Sequence, residues 1–153
     1  MVGNEWMREG TFVLSFNRFK FQCYDLFFHR APSHDHAAHR PLHRQRGWKG
    51  IGYHYLIRLD GTVERGRSEA EVGAHCQDHN LHSIGICYVG GLDSRNRPAD
   101  TRTPAQRMAL RMLLETLHAR YPRALIVGQH LFHPQKACPC FDAAAEYADL
   151  QPK

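Results

Sequence analysis

The chain has no apolar run approaching the ~18 residues of a membrane-spanning helix, so no membrane span is expected. Its opening stretch, MVGNEWMREGTF, carries Glu5 and Glu9 where a secretory leader would carry an apolar core, which predicts synthesis in the cytoplasm. Internal repeats and an interdomain linker are both missing, and the expectation is one domain over residues 1–153. An even-numbered cysteine framework is missing too. Five cysteines without a leader argue against disulfides, and Cys23, Cys76 and Cys87 read as buried thiols. No nucleic-acid-binding motif stands behind the net charge of +5. That charge favours polyanions in general, cell-wall polymers among them, and does not choose between them.

What is present is ordinary for a globular protein: 42% hydrophobic and 23% charged residues. A chain of this length can bury roughly 70% of its unfolded surface without staples. The unusual figure is 12 histidines, crowded between His29 and His54. Residues 11–28, rich in Phe and β-branched side chains, predict one or two strands. Residues 29–47 hold two prolines and no period, which predicts a loop with a short helical turn. GYHYLIRL, then Asp60-Gly61, then TVERGR predicts a hairpin with a type I′ turn. SIGICYVGG (83–91) and ALIVGQH (124–130) predict buried strands. Thr103, Pro104 and Gln106 spell a capped helix start. Ala105, Met108, Ala109, Met112, Leu113 and Leu117 follow as its expected buried face, to about Arg120. Asp142 is placed to cap a last helix, DAAAEYADL. Strands alternating with helices predict an α/β fold.

The chemistry concentrates in HLFHPQKACPCFD, His130 to Asp142. Zinc takes nitrogen and sulfur ligands, and a catalytic zinc keeps one position open for water. His130, at the end of a predicted strand, and Cys138, on the loop after it, could share one ion. The same spacing also suits a polar loop that simply closes a helix. Lys136 could donate to a developing oxyanion or sit solvated at the surface.

Four segments in order carry a resemblance: GWKGIGYHYLIRLDGTVERGR, EVGAHCQDHNLHSIGICYVGG, TPAQ and HLFHPQKACPCFD. Together they resemble the zinc-dependent type 2 N-acetylmuramoyl-L-alanine amidases, above all the amidase-type lysozymes (endolysins) of T-odd bacteriophages. Peptidoglycan recognition proteins are similar more distantly. The likeness is strongest over residues 43–142. It implies a single-domain mixed central β-sheet flanked by helices, with Zn2+ as cofactor. It implies hydrolysis of the amide between N-acetylmuramic acid and L-alanine in bacterial peptidoglycan. Residue by residue, it implies that His130 and Cys138 bind the metal and that Lys136 and Tyr53 are catalytic. It also implies that His75 lines the substrate cleft. His54 is read as structural, pointing away from Tyr53 across a strand. His133 and Cys140 are read as bystanders beside the site.

The family's third zinc ligand ends an early strand, a place held here by His29, with His34 and His36 as alternatives. The small-residue motif that follows it in the family is replaced by RAPSHDHAAHRPLHRQRG. The resemblance implies a monomeric endolysin, made in the host cytoplasm and acting on the wall after release. Two other readings remain: a peptidoglycan-binding module without catalysis, and a regulator that binds the phage RNA polymerase.

Overall fold

The computed structural model describes residues 11–16 and 52–153. Among these residues five strands form one sheet: β1 (Thr11–Phe16), β2 (Tyr55–Ile57), β3 (Val63–Arg65), β4 (Ser83–Tyr88) and β5 (Leu125–Gly128). Their order across the sheet is β3-β2-β4-β1-β5. β1 is parallel to both neighbours, pairing Thr11 with Ser83 on one side and with Leu125 on the other. β2 is parallel to β4, and only β3 runs antiparallel, paired with β2. The sheet is therefore mixed, as expected, with α1 (Pro104–Arg120) and the short α2 (Ala143–Glu146) packed on it. Among the described residues no helix is long and apolar enough to cross a membrane.

Alternation along the strands separates two clusters. Tyr55, Ile57, Ile86, Tyr88 and Ile126 pack with Leu110, Leu114 and Leu117 of α1. Leu56, Cys87 and Val89 face the other way, and Tyr53 packs on them. Cys76 and Cys87 are buried thiols, as the sequence predicts. Cys23 lies outside the described residues.

The helix start follows its prediction: the Thr103 hydroxyl accepts from Gln106 N–H, and Gln106 Oε1 accepts from Thr103 N–H. The buried face, however, differs from the expected one. Met108 and Met112 are 68% and 61% exposed, while Gln106, Leu110, Leu114 and Leu117 are buried. The reason is Gln106. Its Nε2 donates to Val89 O at 2.8 Å and Ile57 O at 3.4 Å, satisfying carbonyls of β4's end and β2. A polar side chain that fulfils backbone acceptors belongs in the core, and it turns the two methionines outward.

The hairpin also departs in detail. Gly61 has φ +86°, but Asp60 is not left-handed. Gly61 N–H donates to Arg58 O and Arg58 N–H to Thr62 O, both at 2.9 Å. The loop is thus a three-residue connection closed by a left-handed glycine, not a two-residue type I′ turn. The Asp60 carboxylate accepts from Thr62 N–H instead of the backbone turning over at Asp60. β4 ends at Tyr88, before Gly90 and Gly91, both at positive φ. β5 ends at Gly128, and His130 lies in a 3-10 turn, Gln129–Leu131. Asp142 caps α2 through Ala145 N–H, but α2 stops at Glu146 and a 3-10 turn, Ala148–Leu150, replaces the rest.

Candidate functional site

His54, just before β2, is 1% exposed and fully engaged. Its Nδ1 accepts from Gly85 N–H at 3.0 Å, so Nε2 carries the proton and donates to Glu71 O at 2.9 Å. Burial holds its pKa below the usual imidazole value. This is the structural role expected. Its position relative to Tyr53 is closer than expected, because both rings flank one partner. Tyr53 stacks on His75 with centroids 6.1 Å apart, and His54 meets the same ring edge-on at 5.6 Å.

His75 is 6% exposed. A side chain at Gly73 or at Gly85 would collide with its ring, so the imidazole lies against glycine backbone on both sides. The loop around it is tied by Asn80, whose Oδ1 accepts from both His75 N–H and Cys76 N–H at 2.9 Å. Burial, and then the charge of neighbouring His54, push the His75 pKa down to about 3. The ring is therefore neutral near pH 7. Its Nδ1 is buried without a hydrogen-bond partner among the described residues, while Nε2 lies 3.4 Å from Ser83 Oγ.

The second wall is the segment after β5. His130 N–H donates to Cys138 O at 2.9 Å, and His130 Nδ1 lies 2.8 Å from the same carbonyl. A carbonyl only accepts, so Nδ1 carries a proton, and the tautomer of the neutral ring is the one with its lone pair on Nε2. A Cβ on Gly128 would come within 2.5 Å of Pro139 Cδ and 2.6 Å of the His130 ring. Glycine there lets the cysteine loop fold back onto the histidine. Lys136 N–H donates to His133 O at 2.8 Å, turning the chain between the two. Cys138 is 6% exposed and in no disulfide.

The two walls meet. Gln129 Nε2 donates to His75 O at 2.7 Å. His79 stacks on Phe132 with centroids 3.8 Å apart. Burial raises the Cys76 thiol to about 11, a rise that the positive charge of Lys136 opposes. Tyr53 and His75 thus pack together, His130 and Cys138 pair on the adjoining wall, and the charge of Lys136 is felt at Cys76. His29, His34 and His36 lie outside the described residues. Among the described residues no group of three His, Cys, Asp or Glu side chains could hold a metal. The donors that are described fit zinc in kind: an imidazole with its lone pair on Nε2, and a thiol on the adjoining loop.

Gln129 was not legible in the sequence as a functional residue, since nothing local distinguishes a glutamine at a strand end. Cys140 is less peripheral than expected: half-buried, at φ +70°, with its thiol 3.4 Å from Gly91 O. His133 Nε2 is buried without a described partner.

Residues 26–141 match the family model described as N-acetylmuramoyl-L-alanine amidase. The chain is 48% identical over 103 residues to the endolysin of Escherichia phage T7, covering 67% of this chain and 68% of that one. Among solved structures, N-acetylmuramoyl-L-alanine amidase LysC from Clostridium intestinale superposes with a TM-score of 0.69 at 27% identity. That match covers 97% of this chain and 90% of LysC. Bumblebee PGRP-SA shares the fold, with a TM-score of 0.62 at 19% identity, over 92% of this chain and 80% of its own.

Proposed function

Because the chain belongs to the N-acetylmuramoyl-L-alanine amidase family, we propose that it is a zinc-dependent endolysin. It cleaves the amide joining the lactyl group of N-acetylmuramic acid to L-alanine in bacterial peptidoglycan. The observation that carries this reading is the bond from His130 Nδ1–H to the Cys138 carbonyl. It fixes the tautomer that leaves Nε2 as a ligand atom, and it draws the cysteine loop to the same place.

In this reading His130 and Cys138 hold the metal, with His29 as third ligand. Bound there, zinc would polarise the scissile carbonyl and acidify a water. Lys136 donates to the oxygen that becomes negative as water adds to the carbonyl carbon. When the C–N bond breaks, the leaving L-alanine nitrogen must gain the proton that the adding water gives up, and the Tyr53 hydroxyl orients that transfer or relays it, giving its own proton to the nitrogen and taking the water's in return. Neutral His75 lines the cleft wall beside Tyr53 and competes for no proton near pH 7. The net charge of +5 suits an anionic wall.

The test is peptide release from purified peptidoglycan, with added zinc, with a chelator, and with Cys138→Ala. Release in zinc, lost both to the chelator and to Cys138→Ala, is the expected result. Failure of zinc-loaded protein to release peptide from any wall chemotype would sink the reading.

A further inference from the structure

Among the described residues two walls of the candidate site come from distant parts of the chain. One is the loop after β3 that carries His75; the other is the turn after β5 that carries His130. A polar bridge between them runs through Gln129. This residue is 3% exposed. It starts the 3-10 turn that contains His130, and its backbone carbonyl accepts from Phe132 and His133 N–H, both at 3.1 Å. Its side-chain Nε2 donates across the fold to His75 O at 2.7 Å. The same amide is within hydrogen-bonding reach of the Cys76 thiol.

We propose that Gln129 is a positioning residue that sets the His130 turn against the His75 loop. The inference rests on the amidase reading for its catalytic consequence, though the linkage of the two walls does not. The physical reason is geometric. His130 is carried by its turn, whose loop is bonded to the sheet by the Tyr88 hydroxyl donating to Pro139 O at 2.7 Å but to the His75 loop through side chains, and a misplacement of about 1 Å at a reacting group can cost on the order of 100-fold in rate. The backbone bond of His130 to Cys138 fixes the turn only relative to its own loop. Contact with the opposite wall comes from the His79–Phe132 stack and from the Gln129 amide. Of these, the amide sits directly beside the metal-binding histidine and joins the residue that packs on Tyr53. A methionine at 129 keeps the length and loses the bond. A glutamate keeps the shape but, ionised, presents an acceptor to the His75 carbonyl; protonated, its O–H can donate again.

The experiment compares wild type, Gln129→Met and Gln129→Glu in three measurements: hydrogen–deuterium exchange by peptide, zinc content per chain, and release from peptidoglycan across pH. Exchange should quicken in segments 72–80 and 128–138 together in Gln129→Met, with α1 unchanged. The kcat should fall roughly tenfold or more at an unchanged zinc content, by the positional sensitivity above. The loss in both variants should lie in kcat rather than in KM at every pH, since the bridge sets the position of His130 and not the affinity for the wall. Wild-type exchange in both segments of Gln129→Met would overturn the proposal, whatever the enzyme does. So would a kcat loss that tracks zinc loss alone. A wild-type protein that is inactive on wall material while the exchange result holds would remove the amidase reading and leave the linkage standing.

Discussion

At the scale of single residues, the site is set by protonation and by space. The tautomers of His54 and His130 follow from the atoms they face, a backbone N–H for one and a carbonyl for the other. His75 is held neutral by burial, with a pKa of about 3 against an ordinary 6.5. An imidazole whose folded pKa lies below its unfolded value stays neutral while the unfolded chain takes up a proton. Its contribution to stability is therefore complete above about pH 6.5 and declines as the pH falls toward about 3. His54 shifts in the same direction, also through burial. The unfolding free energy from urea titration should drop on acidification through this window, by at most ~1.4 kcal/mol per pH unit for each group. Replacing His75 by Asn should flatten that slope; an unchanged slope would show that the ring protonates in the folded protein. These environments were only partly legible in the sequence. The pairing of His130 with Cys138 was, because a short loop joins them. The slot between Gly73 and Gly85 was not, because β4 brings Gly85 to the His75 loop only in three dimensions.

At the scale of elements, the helix α1 shows where pattern reading succeeds and where it stops. Its start was legible, since a capping box is local chemistry between Thr103 and Gln106. Thr103→Ala should cost about 1 kcal/mol in chemical denaturation, with some further loss from the hydroxyl's 2.7 Å bond to Leu59 O. Of its expected buried face, Leu117 is buried and Ala109 and Leu113 pack on the core, but Met108 and Met112 face out and Gln106, Leu110 and Leu114 are buried instead, because methionine counts as apolar and glutamine does not. The Val89 carbonyl after β4 reverses that order for Gln106, whose amide also reaches Ile57 O, an oxygen that already accepts from Val89 N–H. Met112→Lys should then leave stability within about 0.5 kcal/mol of wild type. Gln106→Leu, although more apolar, should destabilise by roughly 1–3 kcal/mol, because it removes the buried Val89 carbonyl's bond to the amide. If Met112→Lys proved the more damaging of the two, the assignment of faces would be wrong. The hairpin was legible as a hairpin, and Gly61 was its signal; the register of the turn was settled by the Asp60 carboxylate.

At the scale of the whole molecule, one buried guanidinium joins the parts behind the site. The Arg102 side chain is fully buried. It donates to Asp100 and Glu146, and it lies 3.3 Å from the centroid of the Phe141 ring. It ties the loop before α1 to α2, the helix that follows the cysteine loop. These bonds hold the Asp100 carboxyl down at about 2. Arg102→Ala should cost roughly 1–3 kcal/mol, since it removes the guanidinium's hydrogen bonds to both carboxylates, while Arg107 keeps its own 2.7 Å bond to Asp100. Thermal unfolding should register this, and a loss below about 1 kcal/mol would mean that solvent replaces the guanidinium. The order of strands carries a further consequence, for how the molecule comes into being. β1 is hydrogen-bonded between β4 and β5, both of which follow it far along the chain. During synthesis the strand at the sheet's interior leaves the ribosome early and waits, because its partners do not yet exist. Closing those pairings spans most of the sequence, which makes folding slow and late. For a wall-cutting enzyme this amounts to a delay built into the topology: the sheet cannot close on β1 until β5 has been made.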